Sequence, residues 1–185
     1  NGSFTPSDGD ASVGLHEAYF TLKNFATLPV DLKLGRQQIV LDGHRLFGHT
    51  GWTTGAQTHD AIRLTHKGGN HTLTYAFIVA NEDEIATDAT GDPAELNDID
   101  VHLFHANLQG ILGGGLSVYF VAVEDGCGNT TTSATAGTCS NDANDIYTVG
   151  FRQAGQLFGI DYRGEYYHQW GDARADATFN VNDLE

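Results

Sequence analysis

Asp161 and Glu165 are the carboxylates whose type and spacing come nearest to acid–base chemistry. Four residues apart in an alternating run, they share one strand face and stand about 13 Å apart. Glycosidase pairs need about 5–9.5 Å, so these two cannot flank one scissile bond. Nine histidines raise a second chemistry, metal or haem binding, but they are scattered along the chain. The sequence contains neither HExxH nor CxxCH. His102 and His105, three apart, take opposite faces of a strand. GxSxG, Walker and GxGxxG patterns are also missing, and Gly113-Gly114-Gly115 reads as a turn. The expectation is no enzyme, no resident cofactor and no metal site. Weak Ca²⁺ binding by acidic loops stays open, although DxDxDG is lacking. Cys127 and Cys139 are the only cysteines, twelve apart among Gly, Thr, Ser and Asn. They read as a disulfide closing a surface loop in an oxidising compartment, with a loop-closure gain of about 3 kcal/mol.

Charge excludes further classes. Nine Lys and Arg against 24 Asp and Glu give −15 in 185 residues. A nucleic-acid binder needs a basic face, so that partner is not expected. A hydrophobic content of 40 % is too high for a charge-expanded disordered chain. No apolar run approaches the roughly 20 residues of a membrane-spanning helix. The chain has no Met and no charged, apolar leader, and so reads as a processed or internal stretch. The acids gather at 8–10, 82–98, 124–145 and 172–185, with seven in 82–98 alone. They fall in alternate connections, and that regularity asks what elements lie between.

Periodicity gives strands. In 157–170, Phe158, Ile160, Tyr162, Tyr166 and His168 oppose Asp161, Arg163, Glu165 and Gln169. Leu73, Tyr75, Phe77 and Val79 oppose Thr72, Thr74, Ala76 and Ile78. Tyr147, Val149 and Phe151 oppose Thr148, Gly150 and Arg152. Less regular strand-like runs cover 13–23, 30–41, 59–67, 99–109 and 115–123, although 99–109 also admits a helical reading. The connections alternate: short at 24–29, 68–69, 110–114 and 154–156, long at 42–58, 82–98 and 124–144. One all-β domain over 1–185 follows, an antiparallel up-and-down meander of about eight strands. Its length alternation is that of a transmembrane β-barrel rather than a Greek-key sandwich. The long loops are then expected outside the cell and the tight turns in the periplasm. Tyr, Phe and Trp170 near strand ends suit an interfacial girdle, or equally the core of a soluble protein.

Parity assigns the charged residues. Arg63, Arg152 and Arg163 fall on polar faces with Asp161 and Glu165, and Asp60 is grouped with them. Arg36 shares its parity with Val30, Leu32 and Leu34, whereas Ile39 and Leu41 have the opposite parity. A bulge at Gly35 would reconcile the two and carry Arg36 and Gln38 to the polar side. The expected pore-lining set is therefore Arg36, Gln38, Asp60, Arg63, Arg152, Asp161, Arg163 and Glu165, with structural ion pairing as the alternative role. Phe158, Ile160, Tyr162, Val149, Phe151, Leu73 and Phe77 are expected to face lipid.

Leu32-Lys33-Leu34-Gly35-Arg36-Gln37-Gln38, then Gly43-His44-Arg45-Leu46-Phe47-Gly48, then Trp52, then Asp60-Ala61-Ile62-Arg63-Leu64 form a recognisable series. This stretch, within residues 13–66, resembles the alginate-export family of outer-membrane β-barrels. The family pattern is a strand ending in Gly-Arg-Gln, a loop with an Arg-Leu-x-Gly element and a Trp, and a returning strand with Asp and Arg. The resemblance implies a porin of the bacterial outer membrane, a barrel of about eighteen strands of which this chain supplies part. It implies diffusion of small, anionic or sugar-like solutes, contact with membrane lipid and lipopolysaccharide, and a periplasmic or outer-membrane partner protein. The competing reading is a secreted soluble β-domain that binds carbohydrate or a protein partner through its long acidic loops.

Overall fold

The computed structural model describes residues 15–49, 56–81, 86–87, 93–94, 99–125 and 145–171. Eight of its strands form one sheet: β1 (Ala18–Leu22), β2 (Val30–Gln37), β3 (His59–Lys67), β4 (His71–Asn81), β7 (Ile99–Ile111), β8 (Gly114–Asp125), β9 (Ile146–Leu157) and β10 (Ile160–Gly171). Between β4 and β7, β5 (Ala86–Thr87) and β6 (Pro93–Ala94) pair with each other. Every neighbour in the large sheet is the next large strand in sequence, and every pairing is antiparallel. Residues 99–109 are thus strand. Among the described residues the only helix is a single 3₁₀ turn, Phe25–Thr27. β1 and β10 each pair on one side only among the described residues, so the sheet is open.

Side chains alternate across this sheet, and the register assigns them to two faces. One face carries Phe20, Leu34, Ile62, Leu73, Phe77, Phe104, Val118, Phe120, Val149, Phe151, Ile160, Tyr162 and Tyr166. A soluble protein would bury such a surface. Here Phe104 is 48 % exposed and Phe151 49 %. A contiguous apolar face of this extent requires an apolar surround. The opposite face is polar toward the short-turn ends, with Lys33, Arg63, Thr65, Thr72 and Asn107. Toward the long-loop ends it is apolar, with Ala61, Ala76, Ile78, Leu103 and Val121.

That second apolar patch is covered by the chain itself. After Gln37 the backbone leaves the sheet, and residues 38–49 fold over the inward face. Ile39 is 1 % exposed and packs on Ala61, Ala76, Ile78, Leu103 and Val121, with Leu41 and Phe47 beside it. The Leu41 N–H donates to the Phe47 carbonyl at 3.1 Å and closes this small turn. The expected outer loop 42–58 therefore begins as an inward fold. The change of parity between Arg36 and Ile39 marks the exit of the chain from β2.

The bulge expected at Gly35 is not formed. Pairing runs unbroken from Ala18–Arg36 to Leu22–Leu32 on one side, and from Val30–His66 to Gln37–His59 on the other. Gly35 has φ +115°, and a Cβ there would stand 2.4 Å from the Ala18 carbonyl oxygen. Glycine at this point allows close approach to β1 and inserts no residue. Register shifts occur instead at Val79/Asn81 and Gln109/Ile111. The last turn is also displaced: 154–156 belongs to β9, and the reversal is at Phe158–Gly159, so Phe158 lies in a turn and not on the lipid face.

Candidate channel surface

Glu165, near the middle of β10, has side-chain exposure of 12 % and collects three guanidinium groups. Arg152 on β9 lies 3.2 Å away, Arg163 3.6 Å and Arg45 of the inward segment 3.7 Å. Arg152 and Glu165 are direct cross-strand partners, which places them on one face with closely spaced stems. Three cations meet one carboxylate here, and Asp42 of the same inward segment is a second acid whose charge acts with that of Arg152 on Tyr119 and Tyr167. Asp161, four residue pairs nearer the turn, accepts a hydrogen bond from Gln156 Nε2 at 3.0 Å.

A second basic group lies across the face. Lys33, Arg63 and Lys67, with Asp31, Asn107 and Gln109, line an open cavity of about 600 Å³. The Lys33 ammonium sits 3.3 Å above the Tyr19 ring centre, a cation–π contact. Arg63 Nε is buried without a hydrogen-bond partner among the described residues.

Asp42 stands at the edge of this cavity and fastens the inward segment to the wall. Its backbone is left-handed, with φ 44°. His105 Nε2 contacts its carboxylate at 3.1 Å, Tyr119 donates a short hydrogen bond to it, and Asn107 Nδ2 reaches it at 3.5 Å. Burial favours the neutral form of Asp42. Hydrogen bonds from His105, Tyr119 and Ser117 outweigh that effect and hold the carboxyl well below the usual carboxylate range. His105 is 7 % exposed and Ser117 fully buried, so water competes little for these bonds.

Five of the eight residues expected to line a pore share the polar face: Arg63, Arg152, Asp161, Arg163 and Glu165. Arg36 and Asp60 do not. They are cross-strand partners on the outward face, joined by Arg36 Nε to Asp60 Oδ1 at 3.0 Å and Nη2 to Oδ2 at 2.6 Å. With no bulge, Arg36 keeps the parity of Leu34, and at the long-loop end of the strand a paired guanidinium faces outward. Gln38 lies beyond β2, where its N–H donates to Glu17 and its side chain meets His16. Lys33 and Asn107 were readable by parity alone. Asp42 and Arg45 were not, since no local pattern foretells an inward fold. Cys127, Cys139 and most of 82–98 and 124–144 lie outside the described residues.

A sequential antiparallel sheet with one exposed apolar face and one charged face is the wall of a transmembrane β-barrel. The family model described as Alginate export matches residues 1–182, and the chain belongs to that family. It is a family of outer-membrane β-barrel transport channels and not of enzymes, so the soluble-domain reading gives way. Comparisons with curated proteins and with solved structures gave no match.

Proposed function

We propose that this chain forms wall of a channel through which small anionic, sugar-like solutes diffuse across the outer membrane, along the face that carries Lys33, Arg63, Arg152 and Arg163. The observation behind this reading is the gathering of Arg45, Arg152 and Arg163 on the single carboxylate of Glu165. In a narrow lumen, fixed charges within a few ångströms set the local potential. Loop acids beyond a Debye length of about 8 Å are largely screened. Local cations thus select anions despite a net charge of −15. Residues 38–49 narrow the passage, and their apolar anchoring keeps that constriction in place. Lipid and lipopolysaccharide cover the outward face in this reading.

Reversal potentials across planar bilayers under a KCl gradient test the proposal. The parent protein is expected to prefer anions, and Arg152→Gln with Arg163→Gln to shift the preference toward cations. Arg36→Gln, on the outward face, should leave it unchanged. An unchanged reversal potential in the folded double variant would reduce the two arginines to partners of Glu165 and remove the anion reading.

A further inference from the structure

His66 and His71 flank the β3–β4 hairpin on the outward face at its short-turn end. Their ring centres are 5.3 Å apart. Each ring has one nitrogen already engaged. His66 Nδ1 lies 2.7 Å from the Pro29 carbonyl oxygen, and His71 Nδ1 lies 3.3 Å from Asn70 Oδ1. A carbonyl oxygen only accepts, so Nδ1 carries the proton in His66, and the same arrangement holds for His71 against Asn70. In each neutral ring the lone pair is left on Nε2. Among the described residues, neither Nε2 has a hydrogen-bond partner.

We propose that this pair is a binding site for a divalent transition metal of the imidazole-preferring class, Zn²⁺ or Cu²⁺, with water completing the coordination. Three features support it. A metal-ligating histidine ordinarily donates its other N–H to a carbonyl or carboxylate, which fixes tautomer and ring orientation, and both rings have such an oxygen. A metal–nitrogen bond of about 2.0–2.1 Å puts each ring centre about 3 Å from the ion, so two rings on one tetrahedral ion have centres about 5 Å apart. The observed 5.3 Å permits this, as it does for His44 and His49, and the oxygen partner on each Nδ1 is what sets the His66–His71 pair apart. The charge setting is also permissive. Lys67 is the nearest cation in sequence, but it lines the cavity on the opposite face of the sheet. The alternative occupant, a phosphate, would meet two lone pairs and no donor at these rings. His66 and His71 bracket one hairpin, so a bound ion closes the β3–β4 turn, whose His66 already holds the Pro29 carbonyl ahead of β2.

The test is Cu²⁺ titration of the full chain folded in detergent micelles, followed by electron paramagnetic resonance. One equivalent should bind with the hyperfine pattern of two imidazole nitrogens. His66→Gln and His71→Gln should each weaken that equivalent at least tenfold and lose one nitrogen from the pattern. His71→Gln leaves the His66–Pro29 bond intact, and heat-shifted gel mobility reports that each variant is folded. His44→Gln with His49→Gln removes the other close imidazole pair, 5.3 Å apart, and should change nothing. Undiminished binding in either single variant, or loss only in the His44/His49 double variant, would overturn the site.

Discussion

At the scale of single residues, Asp42 concentrates the most consequence in one side chain. Its folded carboxyl is held low, so its charge contributes stability that is fully present above the unfolded value of about 3.9. That contribution fades as pH falls through the folded value. Asp42→Asn removes it at neutral pH and leaves the hydrogen bonds of His105 and Tyr119 weakened. The expected loss is about 1–3 kcal/mol, the range for a buried polar group deprived of its partner. Urea unfolding of parent and variant should give a difference that shrinks as pH falls below about 4, where the unfolded carboxyl takes up its proton. A difference that grew between pH 4 and 2 would contradict the origin in the Asp42 charge. Arg36 illustrates the limit of reading single residues. Parity with Leu34 was correct as it stood, and the bulge invoked to avoid an outward arginine was unnecessary, because Asp60 is its direct cross-strand partner. A charge at a strand end can be neutralised laterally, and alternation within one strand carries no information about the neighbouring strand.

The hairpins set the scale of elements. β7–β8 and β9–β10 both close through two residues of positive φ, Leu112–Gly113 (47° and 72°) and Phe158–Gly159 (54° and 81°). Such pairs match the right-handed twist of the strands they join. The two glycines differ in surroundings. A Cβ on Gly113 would lie 2.3 Å from the Gln156 carbonyl oxygen, whereas nothing stands within 4 Å of one on Gly159. Gly159→Ala should therefore cost about 1 kcal/mol, the backbone term alone. Gly113→Ala should cost clearly more, read as the larger drop in the urea midpoint. Equal losses would mean that the turn relaxes away from β9. Three of the eight long strands, β4, β9 and β10, were legible from plain period-two alternation, which burial of one face enforces, and the other five only as less regular strand-like runs. Boundaries were less so. Gly155 drew the expected last turn three residues early, because an Ala-Gly-Gln triplet looks more turn-like than a bulky Phe before glycine. The inward fold of 38–49 lay beyond sequence pattern altogether, since its partners Ala61, Ile78, Leu103 and Val121 are supplied by four different strands.

For the whole molecule, the division into faces decides where substitutions are tolerated. Phe104, central on the outward face, should not accept arginine: Phe104→Arg is expected to cost about 2–4 kcal/mol and to lower the folded fraction in lipid vesicles. Thr72→Arg, on the cavity side, should insert as the parent does. Comparable folding of both variants would reverse the assignment of faces. The same division fixes a thickness. On the outward side of β3, Asp60 and His66 bracket only Ile62 and Leu64. Six residues rise about 20 Å along a strand, or about 15 Å along the membrane normal at the usual tilt. That is thinner than the roughly 25 Å apolar belt of such proteins. On the lipid-covered face proposed above, the bilayer beside β3 would thin, drawing headgroups toward the midplane at an elastic cost of fractions of a kcal/mol per ångström. Under that proposal this side of the wall would favour short-chain lipid, or a neighbour with an equally narrow belt, over the full-length acyl chains of the surrounding leaflet.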